Sequence, residues 1–335
     1  MKRLFALLMI VVGTTAYGGT LNADACCPCP SMDWCCGEFC VDAELLIWRA
    51  MDCPDDYAMI LATTPTIPPG NVNQIFTSTP EFDLGFRVSA RYDRDCWFVD
   101  GRYIWFQSSD INQVERDTDI ILLQNFRRVQ AVSRGSNRFR YGYQDANIRV
   151  GMQCLGNRCF QLYSWLEGRY AHIKSKRTTA GLNAANTFDV SLRAASSFDG
   201  GGLGLGFGVQ AQALSCLHVS AELAAVGLVG SQNGHFTVDN RATNPDQVQV
   251  VNYRSKSNFI QGLDLRAKIA YVSCYRGIDF SLFFAWETNQ YWDAQLLTEP
   301  DVGVETNINI GERQGNRQCS PLGFGGPSVG FTVCY

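Results

Sequence analysis

Nowhere does this chain of 335 residues hold 18 consecutive apolar side chains. A helix of membrane-spanning length is therefore not expected, and any insertion into a bilayer has to use strands. The longest apolar stretch beyond the N-terminus, 221–230, is short and begins beside Glu222. Charge is scarce as well: Asp, Glu, Lys and Arg make up 18% of the chain, and the net charge is −4. That balance gives no basic footprint for nucleic acid. Together with 12% aromatic residues, it also argues against a disordered chain. Glycines crowd 200–208 without the Lys-Ser or Lys-Thr pair that a phosphate-cradling loop needs. There are three histidines. His218-Val219-Ser220 sets a base beside a nucleophile, but both side chains fall on an inward face with no Asn or Asp placed to orient the ring. His172 and His235 read as loop residues with no partner by spacing. No enzyme activity, cofactor or metal is expected.

Cysteine is abundant, at 14 residues. In a cytosolic protein, Cys26-Cys27-Pro28-Cys29 with Cys36 and Cys40 could serve as zinc ligands. The N-terminus argues for export instead. Met1-Lys2-Arg3 is a charged n-region, Leu4 to Val12 an apolar h-region, and small residues follow, with cleavage after Gly18 or after Ala25. The domain reading is a signal peptide over 1–25, a cysteine-rich periplasmic segment over 26–40, and one strand-built domain over 41–335. Outside the cytosol, disulfides are favoured over zinc.

Cysteines also mark four tight turns: Asp93 to Cys96, Cys154 to Cys159, Ser215-Cys216, and Ser273 to Arg276. Longer polar stretches alternate with them, at 50–80, 107–138, 173–198, 230–257 and 289–322. Between turn and loop the side chains alternate apolar with polar, the period of a strand with two different faces. Phe82, Leu84, Phe86, Val88 and Tyr92 share one face of 81–93, and Glu81, Asp83, Arg87 and Arg91 share the other. Asp100 and Arg102 oppose Trp97, Val99, Tyr103 and Trp105. The same split sets Arg149 against Ile148 and Val150, and Glu167 and Arg169 against Leu166 and Tyr170. It sets Asp264, Arg266 and Lys268 against Leu263, Leu265 and Ile269. Asp42, Glu44, Asp145, Glu222, Asp279 and Glu287 fall on the polar side in the same way. Glycines at every second position of 200–208 read as room inside a barrel, or as bends.

The expected architecture is all-β: an antiparallel transmembrane barrel of about ten strands. It has short periplasmic turns, long extracellular loops and both termini in the periplasm. Ile120–Leu123 and Val248–Val251 could extend the barrel wall or form another hairpin, which would raise the count to twelve or more. An Arg or Lys facing lipid at the midplane costs about 2–4 kcal/mol, so the charged face is assigned to the lumen. Its pore-lining candidates are Glu81, Asp83, Arg87, Arg91, Asp100, Arg102, Arg149, Glu167, Arg169, Asp264, Arg266 and Lys268. Trp48, Trp97, Trp105, Tyr163, Trp165, Trp286 and Trp292 cluster near strand ends and are expected to form headgroup-level girdles. The disulfide candidates are Cys26, Cys27, Cys29, Cys35, Cys36, Cys40, Cys96, Cys154, Cys159, Cys216 and Cys274. Cys154 and Cys159 flank one turn and could pair. Cysteines on separate turns, if their Cα atoms lie more than about 7 Å apart, would have to reach neighbouring envelope proteins instead.

Several segments carry a family resemblance. VDAELLIWRA (41–50) with DDYAMI, FDLGFRVSARYDRDCWFVDGRYIWFQSS (82–109), FDGGGLGLGFGVQAQALSCLHVSAELAAVGLVG (198–230), LDLRAKIAYVSCYRGIDFSLFFAWETNQYW (263–292) and the terminal GGPSVGFTVCY occur in order. They resemble the Legionella-type major outer membrane protein family, with relatives in chlamydia-like bacteria, over about residues 41–335. The resemblance implies an outer-membrane porin for passive diffusion of small solutes and ions, in an envelope cross-linked by disulfides. The cysteines exceed what a plain porin needs, so a structural or adhesive protein with a narrow or closed barrel is the alternative. The expected partners are outer-membrane lipid, disulfide-linked envelope proteins and further copies of the chain, with no nucleic acid.

Overall fold

A computed structural model describes residues 38–52, 55–61, 72–78, 80–94, 96–115, 120–123, 131–132, 134–157, 160–182, 189–214, 216–240, 248–275, 278–299 and 316–335. The signal-peptide reading and Cys26, Cys27, Cys29, Cys35, Cys36 and Cys159 lie outside the described residues. The elements are β1 (Glu38–Met51), β2 (Asp55–Leu61), β3 (Val72–Ser78), β4 (Asp83–Arg94), β5 (Trp97–Glu115), β6 (Ile120–Leu123) and β7 (Ala131–Val132). They continue with β8 (Arg134–Asn157), β9 (Phe160–Leu182), β10 (Asp189–Leu214), β11 (Leu217–Asn240), β12 (Val248–Tyr275), β13 (Ile278–Glu299) and β14 (Asn316–Cys334). Ten of these close into an antiparallel barrel in the order β1-β14-β13-β12-β11-β10-β9-β8-β5-β4. Each barrel strand pairs with the next along the chain, and the first pairs with the last, so no edge is left open.

Alternation along each strand builds the wall. On β9, Leu166 is 67% exposed on the outside while its neighbour Trp165 is 3% exposed on the inside. Leu203, Leu205 and Phe207 point out from β10, and Leu282, Phe284 and Trp286 from β13. Over this belt the outward side chains are apolar, while Glu44, Arg87, Asp100 and Arg149 are buried on the inward face, the arrangement a bilayer demands.

The start of β1 and the end of β14 share one rim with the ends of the short hairpins. There, Cys40 is disulfide-bonded to Cys334, its direct register partner on the closing strand. Beside them Phe39 and Tyr335 exchange two backbone hydrogen bonds, at 2.9 and 3.0 Å, and their rings lie 5.4 Å apart. The carbonyl of Cys96 accepts from the Gln153 amide at 2.8 Å, and that of Cys216 from the Val272 amide at 2.8 Å. Two cysteine turns are therefore tied to the neighbouring hairpin.

The structure corrects three expectations. First, most of the stretches read as long loops are strand: β8 to β13 run 22–28 residues, well beyond a bilayer crossing of about 9–11. Second, Ile120–Leu123 adds nothing to the wall. It joins β2, β3 and β7 in a separate four-stranded sheet, while Val248–Val251 does extend the wall, as the far end of β12. Third, Trp48, Tyr163 and Trp165 are not girdle residues; all three are buried inside the barrel. Trp97, Trp286 and Trp292 do face outward.

Candidate functional site

Register alone brings opposite charges together on the lumen face. Glu44 lies directly opposite Arg87, Asp100 opposite Arg149, Glu222 opposite Arg266, and Arg266 opposite Glu287. Directly opposed residues share a face with Cβ atoms about 5 Å apart, so each pair is within reach before any long-range contact forms.

The same groups also reach across the lumen. Arg87 donates from Nη1 to Glu44 at 2.9 Å and from Nη2 to Glu287 at 2.6 Å. Glu44 also accepts from Arg266 Nη2 at 2.9 Å and from the Ser328 hydroxyl. Arg149 grips Asp100 with two nitrogens and reaches Glu222 at 3.1 Å, where Arg102 and the Tyr163 hydroxyl also donate at 3.1 Å. Arg169 on β9 pairs with Asp264 on β12 at 2.5 Å and with Glu167 at 2.8 Å. Arg87, Arg149, Arg169, Glu44, Asp100, Asp145, Glu167 and Glu287 are all buried. Charges removed from water in this way are tolerable only because each has a partner.

An aromatic layer lies against this charged one, on the side away from the cysteine rim. Trp48, Phe106, Tyr143, Tyr291 and Phe324 are fully or almost fully buried there. Tyr143 stacks on Phe324 at 4.7 Å, and its hydroxyl shares a hydrogen bond with that of Tyr291 at 2.8 Å. Arg169 Nη1 donates to the same Tyr291 oxygen at 3.2 Å, which couples the layers. Between them the cavity measures about 30 Å³, lined by Arg87, Arg102, Asp145, Arg149, Glu167, Arg169 and their partners. That is room for about one water.

The structure therefore gathers Arg87, Asp100, Arg102, Arg149, Glu167, Arg169, Asp264 and Arg266 into one layer. Lys268 lies nearer the cysteine rim, its ammonium 5.0 Å from the Phe283 ring. Arg91 lies there too, bonded to Asp93 and 4.1 Å over Phe98. Asp83 caps the Ser109 amide at 3.1 Å. Glu81 precedes β4 and is exposed. Sequence reasoning missed the aromatic layer, although its signal was present: Trp48 has the same parity as Glu44, and Tyr143 the same parity as Asp145.

Residues 27–335 match a family model described as the Legionella pneumophila major outer membrane protein precursor. No curated protein matches the chain. Among solved structures it is similar to the outer membrane protease OmpT from Escherichia coli, at 6% identity over 89% of this chain and 95% of that one, with a TM-score of 0.44. It is similar to the Pseudomonas putida toluene transporter TodX at 8% identity over 89% of each chain, with a TM-score of 0.33. It is also similar to Ail, the attachment invasion locus protein of Yersinia pestis, at 14% identity over 67% of this chain and 98% of that one, with a TM-score of 0.25.

Proposed function

The chain belongs to the Legionella pneumophila major outer membrane protein family, and from that premise we propose that it is a narrow porin, a passive path for ions and the smallest solutes. The observation that supports this is the lumen layer of cross-strand ion pairs. A barrel needed only as a scaffold gains little from buried ion pairs, because well-packed apolar residues are often as stabilising or more so. A polar lining instead lowers the desolvation cost of a crossing ion. With a cavity of about 30 Å³, passage requires the cross-lumen pairs to part, and Arg87–Glu287 and Arg169–Asp264 are the pairs that set the bore. The lumen face carries more carboxylates than cations, which gives a cation preference. No bond chemistry is involved. In this reading the short turns and both termini face the periplasm and the long strand ends face outward, as in other outer-membrane barrels.

Conductance of the refolded protein in planar bilayers tests the proposal. Small channels with a reversal potential on the cation side are expected, and Arg169→Ala combined with Asp264→Ala should enlarge them. Absence of channels from both proteins would overturn the porin reading.

A second reading has its own observation. Cys96, Cys154 and Cys216 carry free thiols at the rim where Cys40–Cys334 closes the barrel, and Cys274 is exposed at the same rim. In an oxidising compartment such thiols form bridges, which supports a structural role with links to envelope proteins or to further copies of the chain. Non-reducing gels of isolated envelopes should then show high-mass species that collapse with thiol. A monomer under both conditions would remove this reading.

A further inference from the structure

The outer surface of β9 to β12 changes character just above the apolar belt. Tyr170, Val229 and Phe259 are the last large apolar side chains on the outward face of β9, β11 and β12 before the change, each more than half exposed. Lys174 follows two outward positions later on β9 and Lys176 three later. Asn233 and His235 follow at the same height on β11, and Arg254 and Asn252 on β12. Register aligns them across the sheet: Lys174 with Ser197, Ser197 with Asn233, and Asn233 with Arg254 form one row. Lys176, Ala195, His235 and Asn252 form the next.

These two rows wall a groove of about 510 Å³. Its floor is the backbone of Ser175, Ser196, Gly234 and Tyr253, whose side chains take the inward parity. The middle of the groove is low because Ala195 and Ser197 are short. The cations stand at its sides, on β9 and β12, three strand spacings or about 14 Å apart. Among the described residues, no carboxylate lines it. Asp199, which borders it on the belt side, is already held by His172 and by the Tyr170 hydroxyl at 3.2 Å. His235 is fixed in place, with Nδ1 2.6 Å from the Asn252 side-chain oxygen and Nε2 3.0 Å from the Thr237 hydroxyl. Both His172 and His235 thus have partners that sequence spacing did not reveal.

A second observation points the same way. On β8, Arg140 lies directly opposite Lys176, and both are exposed on the outer face. Like charges directly opposed in a sheet are destabilising, and an anion between them removes that cost.

We infer that this groove binds the phosphorylated headgroup of a glycolipid in the outer leaflet, with one phosphate at the Lys174–Lys176 side and a second at Arg254. The site lies at headgroup height, it faces away from the lumen, and its cations match two anions at sugar-scale spacing. The assignment rests on the orientation proposed above and is independent of whether the lumen conducts.

The test uses the refolded full mature chain in mixed micelles, with binding of bisphosphorylated lipid A compared with monophosphorylated lipid A and phosphatidylcholine. The expected order of affinity is bisphosphorylated, then monophosphorylated, then zwitterionic, with the preference weakened by salt. A triple variant, Lys174→Gln, Lys176→Gln and Arg254→Gln, should lose about a hundredfold toward the bisphosphorylated lipid, from roughly one surface cation's contribution per substitution. Unchanged heat-modifiable gel migration confirms that the variant has folded. Equal affinity for all three lipids, or no loss in the folded triple variant, would overturn the groove. Displacement by inorganic phosphate alone would show a free-anion site and overturn the lipid assignment. An epitope placed between β11 and β12 reads orientation on intact cells. If it is hidden, the orientation fails and takes the outer-leaflet assignment with it, whatever the measured affinity.

Discussion

Arg87 on β4 and Glu287 on β13 are 200 residues apart in sequence and meet at 2.6 Å inside the barrel, with β1 and β14 between their strands. Neither residue is adjacent to the other in register, so the contact exists only once the first strand has closed on the last. It is a tertiary consequence of closure, whereas Glu44–Arg87 is a local consequence of pairing. The guanidinium serves both at once, which makes Arg87 the joint between wall and lumen.

Removing Arg87 should therefore be costly. Arg87→Met leaves Glu287 buried without its closest cation, and breaking a buried pair on one side costs about 3–5 kcal/mol. Glu44 keeps Arg266, so the lower end of that range is expected. Adding Glu287→Gln to Arg87→Met should recover part of the loss, since the stranded charge is then gone. Urea unfolding in lipid vesicles, followed by tryptophan fluorescence, measures both. A single variant within about 1 kcal/mol of the parent, the range of a surface ion pair, would show that the interior is wetter than the geometry indicates.

The Cys40–Cys334 bond should dominate resistance to unfolding. It closes a loop with a sequence separation of 294, and the chain-entropy argument assigns a loop of that length roughly 5–6 kcal/mol. Cys334→Ser, or thiol treatment of the parent, should lower the unfolding midpoint and slow the band of the denatured protein on gels. A denatured parent whose mobility is the same with and without thiol would show the bond to be absent from the protein.

The wall was legible in the sequence because lipid outside and polar groups inside impose a two-residue period, and 82–92 shows it without interruption, as does 278–282 before the apolar run that ends at Trp286. Above the belt both faces meet water or polar neighbours, so the contrast that makes the period visible disappears. Ser191 to Ser197 and Asn252 to Ser255 therefore read as loop while being paired throughout. The inward aromatics were misread for a related reason. A tryptophan is equally at home at a headgroup or in a packed lumen, and only strand parity separates the two; Trp165 shares its parity with Glu167. Cys40 was a visible disulfide candidate, but its partner depended on which strands close the ring.

Depth should govern the cost of a charge on the outer face. Leu205 is 61% exposed near the middle of the belt on β10, and Leu205→Arg should destabilise by about 2–4 kcal/mol, while an outward arginine near the interface costs about 0–1 kcal/mol. Ser197→Arg, on the same strand and face beyond the belt, supplies the comparison. Folded fraction in vesicles against urea reads the difference. Equal costs at the two positions would mean that the boundary drawn at Tyr170, Val229 and Phe259 is misplaced.

Two glycines on neighbouring strands make opposite predictions. A Cβ on Gly206 would lie 2.2 Å from the Trp165 ring, whereas one on Gly168 would meet nothing within 4 Å. Gly168→Ala should be neutral or slightly stabilising, because it removes backbone freedom from the unfolded chain. Gly206→Ala has to push Trp165 aside, and overpacking of this kind costs about 1–3 kcal/mol. The displacement does not stop at the ring. Trp165 Nε1 donates to Glu167 at 3.1 Å, and the Arg149 guanidinium lies 4.9 Å from its centre, so moving it loosens two members of the charged layer. Gly206→Ala should then alter near-ultraviolet circular dichroism and, if the lumen conducts, change single-channel conductance, while Gly168→Ala leaves both as they are. Matching spectra and stabilities for the two variants would show that Trp165 does not pack against β10, and the ion-pair layer would lose its lateral support.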